Sequence, residues 1–337
     1  MLGVKDKALL AQRYLLSRLP KRTFFSFVAP LRKCNLDCHY CYQIDMQPKC
    51  MSFEEFCDYA YNLRRIGVGV ISFTGGEPMM WSHLSEAIRF TRTKKMIPHL
   101  NTNGTLLSQN ALRSFAEEGL AGMMVSLDSI EAIPSSYKTL SHNPELLNLI
   151  HYAKSLGIIT TCNAVLSKAT AEGMPSLIER LDSEGIPISI GIFDAGTSIE
   201  AKRALGFNSE TDLQLLANTV KSITSLKAQG AKIVEPTSYF LDYLDSQVSS
   251  SSWICQKAKL KSLAIGPSGQ VLLCPRINTE IGFLNSSFKI TSDMQKLAES
   301  RVAKCSPFCH SNCSYNSSYY QRHPFKTILG LASIKAI

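Results

Sequence analysis

The sequence predicts an α/β fold, a partial (β/α)6 TIM-like barrel with a small cysteine-rich C-terminal domain. Three observations predict it. Apolar or β-branched runs recur at 23–29, 68–75, 97–102, 122–128, 158–166 and 186–193, separated by segments with helical punctuation. Glycine closes one helical segment after another. Polar clusters fall where the strands end: three cysteines, "TGGEP", "NTNG" and "SLDS". Strands alternating with helices imply a parallel sheet, whose C-terminal edge is where α/β folds place their chemistry. Six units are too few to close the usual eight-stranded barrel, so an open-sided one is expected.

Each element has a local reason. "MLGVKDKALLAQRYLLSRLPKR" (1–22) is basic throughout, without an uninterrupted apolar stretch or small-residue cleavage site, and reads as an amphipathic helix rather than a signal peptide. The barrel is assigned to 23–235. Its first long helix follows a capping box, Ser52 with Glu55, and stops at Gly67 after two arginines. "SQNALRSFAEEG", "PELLNLIHYAKSLG" and "MPSLIERLDSEG" also end on glycine, and "SETDLQLLANTVKSITSLKAQG" is a further helix. A serine run at 249–252 marks the boundary to a second domain, 250–320, followed by a tail, 321–337. Within that domain "KSLAIGPSGQVLLC" reads as a β-hairpin.

The 337 residues are 45% hydrophobic, and none of the apolar runs approaches the length of a membrane span. Eleven cysteines in a chain expected to be cytoplasmic suggest metal or redox work rather than disulfides. The formal charge of +9 is scattered in short pairs such as Lys94-Lys95, so a solvated basic surface is expected and no specific nucleic-acid partner. The tail "FKTILGLASIKAI" is open between packing on its own domain and peripheral membrane contact.

Cys34, Cys38 and Cys41 lie at the end of the first strand. Three thiolates with an open corner suit a cubane iron-sulfur cluster; zinc is the other reading, with His39 or an aspartate as fourth ligand. The pattern Cys-x3-Cys-x-aromatic-Cys, with Tyr40 as the aromatic, resembles the radical S-adenosylmethionine (SAM) superfamily. "GGEP" at 75–78, "TNG" at 102–104 and "SLD" at 126–128 stand where that family has its motifs, so the likeness covers roughly residues 20–195.

The resemblance implies a 4Fe-4S cluster on Cys34, Cys38 and Cys41 that chelates SAM, cleaves it reductively to a 5′-deoxyadenosyl radical and so abstracts a substrate hydrogen atom. It implies SAM contacts from Tyr40, from Gly75, Gly76, Glu77 and Pro78, and from Asn103. In this reading the glycines admit backbone to the methionine amino group and Glu77 accepts from its ammonium. Ser126 and Asp128 would face the ribose, and Asn163 is a further polar candidate. Relatives often carry an arginine about a dozen residues beyond the serine; here Lys138 is the nearest cation, a point charge rather than a fork.

Downstream, Cys255, Gly269 and Cys274 followed by Cys305, Cys309 and Cys313 look like the SPASM or Twitch extension of such enzymes. Five cysteines fit one auxiliary 4Fe-4S cluster, held by Cys255, Cys274, Cys313 and one of Cys305 or Cys309. Zinc is the alternative, and a non-enzymatic zinc module is the competing class. Cys50, Cys57 and Cys162 are expected to be small buried apolar residues. A reductant such as flavodoxin or ferredoxin is implied, with a small-molecule or peptide substrate: a peptide or protein, or a cofactor, tetrapyrrole or lipid precursor. The short stretch before the first strand weighs somewhat against leader-dependent peptide modification.

Overall fold

The computed structural model describes residues 3–41, 49–193, 203–246, 255–274, 279–303, 311, 315–316, 318–319 and 322–323. In chain order these residues form α1 (Val4–Ser17), β1 (Phe25–Val28), α2 (Phe53–Arg65), β2 (Val70–Phe73), α3 (Leu84–Thr93), β3 (Ile97–Thr102), α4 (Gln109–Glu117), β4 (Gly122–Ser126), α5 (Leu146–Ser155), β5 (Ile159–Leu166), α6 (Met174–Ser183) and β6 (Ile188–Ile192). Then follow α7 (Glu210–Ala228), α8 (Thr237–Ser246), β7 (Ser262–Ile265), β8 (Gln270–Leu272), β9 (Glu280–Phe283) and α9 (Ser292–Ala303).

All six predicted strands form, and they pair parallel in sequence order from β1 to β6. The capping box that opens α2 is present in full, with Ser52 accepting from the Glu55 amide and Glu55 accepting in return. Helices α2, α4, α5, α6 and α7 each run out at a glycine with positive φ, which only glycine adopts without strain. Outward-facing residues of the strands, such as Ile71, Phe73 and Leu100, pack beneath Phe56, Ile88 and Leu112 of the covering helices in one core. Helix α1 closes the barrel floor: Leu10 packs on Val70, Ile97 and Ala121, at or beside the N-terminal ends of β2, β3 and β4. The site therefore belongs at the opposite end, where the strands finish.

The hairpin forms as expected, with Gly269 at φ +82°. It extends the barrel sheet rather than standing apart from it. β7 pairs parallel with β1, giving nine strands in the order β6-β5-β4-β3-β2-β1-β7-β8-β9. Thr23 Oγ1 donates to the Leu260 carbonyl at 2.7 Å and seals that junction. Cys162 is fully buried and Cys57 half-buried, but Cys50 is exposed, because it pairs with Leu31 in an isolated bridge outside the helix that follows. Among the described residues no helix is long and apolar enough to cross a membrane. Cys305, Cys309, Cys313 and the tail from 324 onward lie outside the described residues.

Candidate active site

β1 ends at Val28 and delivers the chain directly into the loop that carries Cys34, Cys38 and Cys41. That loop lies on the turn after β2. The Gly76 amide donates to the Leu31 carbonyl at 3.1 Å and the Glu77 amide to the Lys33 carbonyl at 3.0 Å. A Cβ on Gly76 would stand 1.9 Å from the Lys33 oxygen, and one on Gly75, at φ +122°, 2.3 Å from the Leu31 oxygen. The two glycines are thus required by the backbone of the cysteine loop. Pro78 starts a single 3-10 turn, Pro78–Met80, behind them.

The Glu77 side chain turns inward and is 1% exposed. It accepts from Thr102 Oγ1 (2.8 Å), the Asn103 amide (2.7 Å) and the Met79 amide (3.1 Å). Three of its roughly four acceptor positions are taken, so this carboxylate ties the turn to the end of β3. Burial raises its pKa while the three hydrogen bonds pull it back. Asn103 donates from Nδ2 to Asn35 Oδ1 (2.8 Å) and lies 3.8 Å from Cys34 Sγ; Thr105 accepts from Asn35 Nδ2 at 2.7 Å. Asn35 and Thr105, unremarked in the sequence, latch the Cys34 end of the loop to the β3 edge.

The Cys38–Cys41 end meets a different element. After β4 the chain makes an excursion that returns on itself, bridging Ser129 to Thr139, and lays Ser135–Lys138 against the loop. The His39 amide donates to the Ser135 carbonyl at 3.4 Å, and Cys38 Sγ is 4.0 Å from Ser136 Oγ. Asp128 is buried at the centre: Tyr40 and Ser136 donate their hydroxyls to Oδ2, the latter at 2.7 Å, and the Val165 amide donates to Oδ1 at 2.9 Å. Burial, then the Asp128 charge, pushes the Tyr40 phenol well above its usual range. Lys138 places Nζ 5.1 Å from the centroid of the Tyr40 ring. Ser126 ends β4 opposite Asn163 of β5, both half-buried.

Ten of the sequence-predicted positions, Tyr40, Gly75–Pro78, Asn103, Ser126, Asp128, Lys138 and Asn163, thus belong to the strand ends and loops at one edge of the sheet, with Cys34, Cys38 and Cys41 among them. Below them, inside the barrel, Asn101 Nδ2 donates to Ser72 Oγ and that hydroxyl meets His99 Nδ1, each at 3.0 Å. Gly122 leaves room for the imidazole, since a Cβ there would stand 2.9 Å from His99 Cδ2. Burial lowers the His99 pKa to about 4. Of the second cysteine group, Cys255 and Cys274 are half-buried and not in disulfides, flanking the hairpin.

A metal ion on three cysteines of one loop would draw them to a point, whereas a cubane gives each thiolate its own iron. Among the described residues no three His, Cys, Asp or Glu side chains converge on a single ion, and His39 is exposed. The donor set fits the cluster: three thiols on one loop at a strand end, with a cation over the Tyr40 ring between them.

A parallel barrel, open at one side, with a cysteine loop seated on a double-glycine turn, defines the class. The model of the Radical SAM superfamily matches residues 28–181, and that stretch of the chain is similar to it. Fe-coproporphyrin III synthase of Methanosarcina barkeri is 30% identical over 161 residues, covering 46% of this chain and 40% of that protein. PqqA peptide cyclase of Rhodopseudomonas palustris is 27% identical over 165 residues, 47% of this chain and 44% of its own length. The chain thus matches less than half the length of these curated relatives. Among solved structures, Streptococcus suis SuiB bound to the precursor peptide SuiA superposes with a TM-score of 0.61 at 15% identity, over 82% of this chain and 65% of that one, a likeness of fold.

Proposed function

We propose that the protein is a radical SAM enzyme holding a 4Fe-4S cluster on Cys34, Cys38 and Cys41 and acting on a substrate bound inside the barrel. When bound, the cluster and SAM supply an electron and a 5′-deoxyadenosyl radical that takes a hydrogen atom from the substrate. The chain's own residues position and shield. Glu77 and the paired glycines fix the cysteine loop, Ser126 and Asn163 present polar groups at the strand ends, and α1 closes the floor. The single observation that carries the reading is the docking of the three-cysteine loop, backbone to backbone, on the turn at 75–77.

The printed activities of the relatives, a coproporphyrin synthase and a peptide cyclase, leave two substrate classes, a tetrapyrrole or cofactor precursor and a peptide. The fold-level likeness to a peptide-bound structure adds support to the second. A second, auxiliary cluster at Cys255 and Cys274 with two of Cys305, Cys309 and Cys313 completes the proposal, together with a low-potential electron donor and a reducing cytoplasmic setting.

Anaerobic reconstitution tests it: about eight irons and eight sulfides per chain for two cubanes, with 5′-deoxyadenosine released from SAM under reduction. Cys38→Ala should abolish that release, and Cys274→Ala should spare it while removing product. Bound zinc with no SAM cleavage would sink the proposal in favour of a binding module.

A further inference from the structure

Lys138 is held in place by an arrangement that has little to do with surface solubility. Its amide donates to Ser136 Oγ at 3.1 Å, and its carbonyl accepts from the Asp128 amide at 2.7 Å. The backbone is thereby clamped, and the side chain runs back over the Tyr40 ring, between Cys38 and Cys41 in sequence. The same segment touches the cysteine loop twice more, through Ser135 and Ser136.

Resting on the proposed function above, we propose that Lys138 is a positioning residue for charge: its ammonium, fixed over Tyr40, raises the reduction potential of the cluster carried by Cys34, Cys38 and Cys41. Reduction adds one negative charge to the cluster, and a cation close by in a poorly hydrated site stabilises the reduced form more than the oxidised one. Asp128, whose carboxylate is tied to Tyr40 and Ser136, works in the opposite sense from the same place. The ammonium lies over the ring of Tyr40, whose hydroxyl donates to the Asp128 carboxylate, so its charge is held against this network. Glu77 also feels the ammonium. The groups facing it are therefore anionic or thiol, and its removal leaves Asp128 and Glu77 unbalanced.

The test is a potentiometric titration of the full-length, anaerobically reconstituted protein, followed by electron paramagnetic resonance in the absence of SAM. Lys138→Met should lower the midpoint potential, Lys138→Arg should hold it near wild type, and Asp128→Asn should raise it, at equal iron and sulfide content. Opposite shifts from two neighbours are not produced by a merely structural role. If Lys138→Met does not load a cluster, Asp128→Asn alone decides by the direction of its shift. A midpoint unmoved in both variants, or moved only when SAM is added, overturns the inference. A wild-type chain that binds no cluster at all overturns the parent reading instead, a result plainly different from an unmoved potential.

Discussion

Cys34 leans on neutral partners, whereas Cys38 and Cys41 sit beside charged ones. On the first side the contacts are the Asn103 and Asn35 amides, the Thr105 hydroxyl and the bare backbone of Gly75 and Gly76. On the second they are Ser135 and Ser136, beside which Tyr40 joins Asp128 and lies under Lys138. Neutral hydrogen bonds fix position with little long-range field, while a buried carboxylate and a nearby ammonium alter the energy of any charge placed near them. On the reading proposed above, one side of the loop sets geometry and the other sets potential. Substitutions on the two sides should separate accordingly.

The largest effect is expected from Gly76→Ala. The clash at 1.9 Å is with the Lys33 carbonyl, which no rotamer change relieves, so the cysteine loop must lift from its turn. Overpacking of this kind costs about 1–3 kcal/mol or more. Most of the bound iron should be lost, and the melting temperature should drop by several degrees; wild-type iron content would break the geometric half of the comparison. Next is Glu77→Gln, which sets an amide NH2 against three donors and should cost about 2 kcal/mol by denaturant titration. Because burial raises the Glu77 pKa in the fold, the native state binds its proton more readily than the unfolded chain. This group's contribution is therefore most favourable at low pH and falls as pH rises through the interval above the ordinary carboxylate pKa. The glutamine variant should lack that fall.

The two sides also differ in how far they can be read from sequence. The six strands, the capping box at Ser52 and the glycine ends were visible because each is a local pattern. The cysteine triplet and "GGEP" are visible as words, but the fit of the glycines is not, because the atoms that exclude a Cβ belong to Ala29 and Leu31 at Gly75 and to Arg32 and Lys33 at Gly76. Asn35 and Thr105 make a contact 70 residues apart, and Tyr40 with Asp128 one 88 residues apart, which no periodicity announces. Ser136 lies in an excursion without regular structure, and its value appears only once that segment folds onto the loop. The hairpin was legible from its Pro-Ser-Gly turn, yet its pairing with β1 joins ends of the chain that share no sequence signal. Cys50 reads as buried because it falls on a helix or strand pattern, whereas it pairs with Leu31 in an isolated bridge and is exposed.

The neutral side continues down β3 into the barrel through Asn101 and His99, and it makes a smaller prediction about pH. With its pKa lowered to about 4, His99 is neutral in the fold at pH values where the unfolded chain, near 6.5, already takes up a proton. The unfolded state then binds more protons, so stability contributed here is complete above about 6.5 and is lost as pH falls toward 4. His99→Gln, which can still accept from Ser72, should flatten the decline in melting temperature between pH 7 and pH 5. An unchanged slope would mean that water reaches the ring and that the barrel interior is wetter at this level than its packing indicates.

The smallest and most discriminating change is Thr105→Val. The hydroxyl donates to Asn103 Oδ1 at 2.6 Å and accepts from Asn35 at 2.7 Å, so it joins the two amides that flank Cys34. Valine keeps the shape and removes both bonds, at a cost of about 1 kcal/mol in an exposed setting. The loop should then open more often, and iron should pass to a chelator several-fold faster. Its midpoint potential should nonetheless stay at the wild-type value, since no charge has moved. A shifted potential in this variant would show that position and field are not separable at this loop, and the division between its two sides would fail.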